Sequence, residues 1–127
     1  MGYTFSKTLA MDFDAAVERV IEELKKEGFG VLTDIDVQTT LKNKIGVDFQ
    51  KYRILGACNP GFAHQALQAE PEIGVMLPCN VVVQETEAGV LVSAVDPVAS
   101  MQGVNNPSLG GIASQVRDKL QNVVNSL

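Results

Sequence analysis

The segment from Ile73 to Val95 constrains the fold of this chain more than any other part of its sequence. It contains two apolar runs, residues 73–85 and 90–95, separated by a turn that contains Gly89. Two such runs on either side of a short glycine turn predict a β-hairpin. Pro78 interrupts the first run, and proline cannot donate a hydrogen bond to a β-ladder. We therefore expect a sheet edge or a bulge at that residue.

Strands and helices alternate through the rest of the chain. Three further strands are predicted at residues 3–9, 29–37 and 52–58. Apolar residues at helical spacing predict four helices, from Asp12 to Gly28, from Asp36 to Gly46, from Asn59 to Pro71 and from Asn106 onward. A hairpin near the end of otherwise alternating elements predicts an α+β fold, with a mixed, mostly antiparallel sheet of about five strands and helices packed on one face. The length of 127 residues fits a single domain over residues 1–127.

The charge balance excludes several classes of partner. The formal net charge is −5, which repels phosphate backbones, so we expect neither nucleic acid nor an anionic membrane as a partner. The first nine residues lack the pattern of a signal peptide, and no apolar run is long enough to span a bilayer. We expect a cytoplasmic protein in which Cys58 and Cys79 are reduced thiols.

Both cysteines lie in segments that resemble a known family. Residues 52–60 read YRILGACNP and residues 77–83 read LPCNVVV. Together with the hairpin end at residues 95–97, these segments resemble the domain-of-unknown-function 302 family, and the likeness extends over nearly the whole chain. The resemblance implies a fold similar to the TATA-binding-protein-like α+β sandwich, often found as a homodimer. It implies no established activity.

A candidate site follows from the position of the two cysteines. Cys58 ends a strand just before a predicted helix, and the start of a helix favours a thiolate or another anion. Gly61 has no side chain to block an approaching ligand, so a small anionic ligand is favoured over a bare metal ion. The candidate ligand-binding residues are Cys58, Asn59, Gly61, Cys79 and Asn80. The sequence identifies no catalytic residue, cofactor or metal ligand set.

Two main functional interpretations remain open at this point, and a third, a thiol enzyme, is possible but lacks an evident base. In the first, the chain is a small-molecule or thiol-linked binding module with its site near the cysteines. In the second, the chain is a structural or interaction homodimer, and both cysteines are small buried core residues. A homodimer would cover the apolar side chains that Val81, Val82 and Val83 place on both faces of the hairpin. The single histidine, His64, points away from the apolar stripe of its helix and is an unpromising base for either thiol.

Overall fold

Residues 2–127, which a computed structural model describes, form five β-strands and five α-helices. The strands are β1 (Thr4–Leu9), β2 (Gly30–Asp36), β3 (Tyr52–Cys58), β4 (Cys79–Thr86) and β5 (Gly89–Val95). The helices are α1 (Phe13–Lys26), α2 (Val37–Ile45), α3 (Pro60–Ala69), α4 (Pro97–Ser100) and α5 (Ser108–Asn125). A 3-10 helix, Pro71–Met76, connects α3 to β4. In this described range, no helix is both long enough and apolar enough to cross a bilayer.

The local signals at helix ends act as the sequence predicts. The Asp12 carboxylate accepts a hydrogen bond from the Ala15 amide at 3.4 Å and caps α1. The Asp36 carboxylate accepts from the Thr39 amide at 3.0 Å and caps α2. Gly28 follows α1 with a φ of 86°, a left-handed conformation that glycine adopts without the steric penalty of a Cβ atom.

The five strands form one sheet in the order β1-β5-β4-β3-β2, and all four neighbouring pairs are antiparallel. The predicted α+β fold with a five-stranded sheet is confirmed. The prediction that the sheet is mixed is wrong, because all four strand pairs are antiparallel. The chain between β3 and β4 returns to the end of the sheet at which β3 stops, so β4 runs in the opposite direction to β3. As a result, Ala57 near the end of β3 pairs with Cys79 at the start of β4.

The strand predicted to begin at Ile73 starts only at Cys79. The preceding residues form the 3-10 helix, and Ile73 is buried beneath α3 instead of extending the sheet. Pro78 immediately precedes β4, which lies between β3 and β5 at the centre of the sheet. The prediction of a sheet edge or a bulge at Pro78 is therefore wrong. Pro78, which cannot donate a hydrogen bond, lies before the first paired residue of β4.

The main core lies between one face of the sheet and the two longest helices, α1 and α5. Its sheet side consists of fully buried aliphatic residues, among them Leu55, Val81, Val83, Val92 and Ala94. Val20 and Leu24 of α1 and Leu120 of α5 cover them. Helix packing on one face is thus confirmed. Lys7 also faces this side from β1, and its Nζ donates to the Leu127 carbonyl at 2.6 Å at the margin of the core.

The opposite side of the sheet, here called the open face, has no buried aliphatic row of this kind. Ile35, Ile54 and Val82 are direct neighbours across β2, β3 and β4 on this face. Ile35 is exposed, and Ile54 and Val82 are only half-buried. The hairpin therefore carries apolar side chains on both faces, as its sequence indicates.

A second, smaller cluster packs beneath α3. Ala66 of α3, Ile73 of the 3-10 helix and Leu109 of α5 form its buried centre. Ile112 of α5 packs against both this cluster and the main core. The smaller cluster is consequently a satellite of the main core, attached through α5.

The Asn106 side chain forms hydrogen bonds at the end of α3 and at the start of α5. The Asn106 Nδ2 atom donates to the Ala69 carbonyl at 2.8 Å and to Glu70 Oε1 at 3.0 Å. Its Oδ1 atom accepts from the Ser108 amide at 3.0 Å. Asn106 thus satisfies a carbonyl at the end of α3 and an amide at the start of α5 at the same time.

Candidate ligand-binding cavity

A cavity of about 330 Å³ lies between the main core and the satellite cluster. The ends of β3 and β4 form its floor, α3 and the 3-10 helix form one wall, and α5 forms the other. Its surface is almost entirely carbon, contributed by aliphatic and aromatic side chains. Within residues 2–127, the lining contains no charged side chain.

The connection from β3 to β4 brings both cysteines to this cavity. Because Ala57 pairs with Cys79, Cys58 lies one residue from the level of Cys79 on the neighbouring strand. Both cysteines line the cavity and neither forms a disulfide. They differ in burial, since Cys58 is half-buried and Cys79 is only 8% exposed.

Burial changes the acidity of the deeper thiol. The pKa of Cys79 is raised from 9.0 to about 11, mainly by desolvation on burial and to a smaller extent by the nearby Cys58. Near neutral pH the Cys79 side chain is therefore a protonated thiol, which is a poor nucleophile. Any thiolate chemistry in this cavity would have to involve Cys58.

Asn59 does not cap α3 with its side chain. Its Nδ2 atom instead donates to the Glu27 carbonyl at 3.4 Å, at the end of α1. A Cβ atom at Gly28 would stand 3.1 Å from that nitrogen, so the glycine leaves room for the asparagine amide. The Asn59 amide thus joins the end of α1 to the entrance of the cavity.

A family model described as a domain of unknown function, DUF302, matches residues 5–127. The chain belongs to the DUF302 family. This DUF302 chain is similar to the crystal structure of an uncharacterized conserved DUF302 protein from Bacillus stearothermophilus, with 30% sequence identity and a TM-score of 0.90. The similarity covers 97% of this chain and 96% of the other. No curated protein matches the chain.

The DUF302 fold places the five candidate residues in two groups. Cys58, Asn59 and Cys79 line the cavity. Gly61 is exposed in the first turn of α3 and is not part of the lining. Asn80 is exposed on the open face, because the residue after Cys79 on a strand points to the other side of the sheet.

Most of the lining of this DUF302 cavity was not among the residues singled out from the sequence. Phe62, Ala63 and Leu67 contribute from α3, and Ala113 and Val116 contribute from α5. In the sequence these residues belong to the same kind of apolar stripe that packs a core. Such a stripe does not distinguish a cavity wall from a filled interior, so the sequence contained no signal for them.

The single histidine lies outside this DUF302 cavity. His64 is exposed on α3 and does not line the cavity, in agreement with its position off the apolar stripe. In the part of the chain that the structure describes, no three His, Cys, Asp or Glu side chains are grouped as a metal site. The arrangement is therefore suited to holding an apolar molecule beside a thiol.

Proposed function

We propose that this DUF302 domain binds a small apolar molecule in the cavity beside Cys58 and Cys79. The observation that carries the proposal is the carbon-rich lining of a 330 Å³ space that reaches from the sheet to α3 and α5. Ligand sites in proteins have volumes of roughly 300–1,000 Å³ and are lined mostly by hydrophobic side chains. The cavity is at the lower end of that range, which suits a small molecule or one end of a larger one.

The chemistry of the lining favours an apolar ligand over the small anion expected from the sequence. A buried anion requires a cation or several hydrogen-bond donors, and its transfer to a carbon-rich site is otherwise costly. Among residues 2–127, no lysine or arginine lines the cavity, and the amide of Asn59 already donates to Glu27. The Cys58 thiol is a weakly polar, polarisable group that tolerates contact with an apolar molecule.

Binding of the neutral fluorescent probe N-phenyl-1-naphthylamine tests the proposal. The probe should bind the wild-type protein with enhanced fluorescence. Ala113→Met should weaken binding at least tenfold, because Ala113 is buried in the cavity wall and a larger side chain there occupies ligand space. Ala15→Met, on the exposed side of α1, is the matched control and should bind like wild type. Absence of probe binding, or equal binding by Ala113→Met, would contradict the proposal.

A second proposal, a homodimer formed through the open face, rests on a different observation. Residues 30–51 include no buried side chain. Apart from Leu32, which lines the cavity, four large apolar residues in this segment are exposed: Ile35, Ile45, Val47 and Phe49. Ile35 and the half-buried Ile54 and Val82 are neighbours on the open face, and a second copy of the chain could cover an apolar surface of this kind. The two proposals are compatible, since the cavity lies on the helix side of the sheet.

A further inference from the structure

Two leucines at the mouth of the cavity are exposed although they belong to its lining. Leu32 is 69% exposed and Leu67 is 42% exposed. A single exposed leucine on a protein surface needs no explanation. These two, however, continue the carbon surface of the cavity outward, so the apolar lining extends to the open side of the cavity.

The backbone holds Leu32 at the mouth by a β-bulge. Val31 pairs with Ala57 and Thr33 pairs with Gly56, which leaves Leu32 as the extra residue on β2. The partner residue at the bulge is Gly56, where a Cβ atom would overlap the Thr33 hydroxyl oxygen and stand 2.7 Å from Cγ of Pro78. The exposed position of Leu32 is thus built into the pairing of β2 with β3.

The volume of the cavity sets how much of a ligand it encloses. A methylene group takes up about as much space as a water molecule in the liquid, roughly 30 Å³. The cavity of about 330 Å³, which is open to solvent at Leu32 and Leu67, would therefore hold roughly ten methylene groups of a chain. A compact molecule of that size would leave most of Leu32 and Leu67 in contact with water, whereas a longer chain would cover them as it leaves the cavity.

We infer that the ligand is a linear alkyl chain longer than about ten carbons, with its end inside the cavity and the remainder against Leu32 and Leu67. This inference rests on the proposed binding function and names the class of ligand. The head group of such a chain lies outside the cavity, in agreement with a lining that provides no charged partner. The apolar mouth contributes to affinity only when the chain is long enough to reach it.

Competition by a series of primary alcohols against N-phenyl-1-naphthylamine tests the inference. Chains of six to fourteen carbons give a series in which only the number of methylene groups changes. Each methylene group moved out of water should tighten binding roughly fourfold. We expect this increase to continue past ten carbons in the wild-type protein, because the mouth residues then receive the additional methylene groups.

Variants at the mouth separate the two parts of the site. Leu32→Asn should weaken affinity for the fourteen-carbon alcohol by roughly threefold to tenfold and should affect the six- and eight-carbon alcohols less. Ile45→Asn, which also replaces an exposed apolar residue but lies outside the lining, is the matched control and should not alter the series.

The outcomes distinguish this inference from the proposed function. If the fluorescent probe binds but the alcohols do not compete, or if affinity stops rising before ten carbons, the cavity takes compact molecules and the inference is wrong. An equal effect of Leu32→Asn on all chain lengths would also contradict it. If the probe itself does not bind, the proposed function fails first.

Discussion

Cys58 and Cys79 line the same cavity but differ in access to solvent and in acidity. We expect maleimide at neutral pH to modify Cys58 first, because Cys79 is nearly buried and its pKa is raised to about 11. Peptide mass spectrometry of the singly modified protein would identify the residue. Bound N-phenyl-1-naphthylamine should slow the reaction of Cys58, and the Cys58→Ser variant should show almost no modification under the same conditions. Preferential modification of Cys79 would contradict the described burial.

The acidity of Cys79 also predicts a dependence of stability on pH. The unfolded chain loses the thiol proton near pH 9, whereas the folded protein retains it up to about pH 11. The contribution of the neutral, buried Cys79 thiol to the free energy of unfolding is therefore fully present below pH 9 and is lost as the pH rises towards 11.

Urea unfolding of the wild-type protein and of Cys79→Ala at several pH values would measure this contribution. The difference in free energy of unfolding between the two proteins should shrink by on the order of 2 kcal/mol between pH 9 and 11. Other groups titrate in this range, but they are common to both proteins and cancel in the difference. A difference that stays constant across the range would show that Cys79 titrates normally.

At the scale of single residues, three of the candidate residues chosen from the sequence line the cavity, whereas its apolar lining residues were not chosen. Cys58 and Cys79 were recognisable because each stands at a junction between a strand and a proline-containing segment. Ala113 was not, because a small apolar residue in a helix stripe has the same appearance whether it packs a core or leaves a space. Asn80 was misleading for another reason: only the pairing of β4 decides which side of the sheet it faces.

Asn106 is the polar contact that holds α3 to α5, and its removal should loosen the wall of the cavity. Asn106→Ala removes the donor to Ala69 and Glu70 and the acceptor for the Ser108 amide. We expect the free energy of unfolding to fall by about 1–2 kcal/mol. Urea denaturation measures this value.

The neighbouring residue provides the control for that measurement. Asn105 is exposed, and Asn105→Ala should change stability by less than about 0.5 kcal/mol. Equal stability of the two variants would show that the Asn106 hydrogen bonds stabilise the fold no more than hydrogen bonds to water would. Hydrogen exchange should in addition become faster in α3 of the Asn106 variant, because its last turn loses an anchor.

Helices and caps were predictable from the sequence because their signals are local. Asp12, Asp36 and Gly28 each act within one turn of their own helix. The 3-10 helix and the antiparallel pairing of β3 with β4 were not predictable in this way. Both depend on where the chain goes after α3, and that is decided by the burial of Ile73 against α5, a contact between distant parts of the sequence.

At the scale of the whole molecule, the open face should decide the oligomeric state. We expect light scattering to show a homodimer that Val82→Lys weakens, because a charge in the centre of the open face would have to be buried at the interface. Val75→Lys is the matched control, since Val75 is exposed on the 3-10 helix, away from the open face. A wild-type protein that is monomeric at high concentration, or a dimer that is equally sensitive to both substitutions, would contradict the proposed interface.

The bulge at Leu32 has a consequence for aggregation. An antiparallel sheet with two free edges can add further strands from other molecules. β2 is one edge, where the bulge and the charged Asp34 and Asp36 interrupt a flat strand. β1 is the other edge. Lys7 of β1 places a charge on the core side of the sheet, where an added strand would have to bury its side chains. Both edges are thus poor templates for open-ended growth, and the proposed homodimer, which uses a face of the sheet, would close with two molecules.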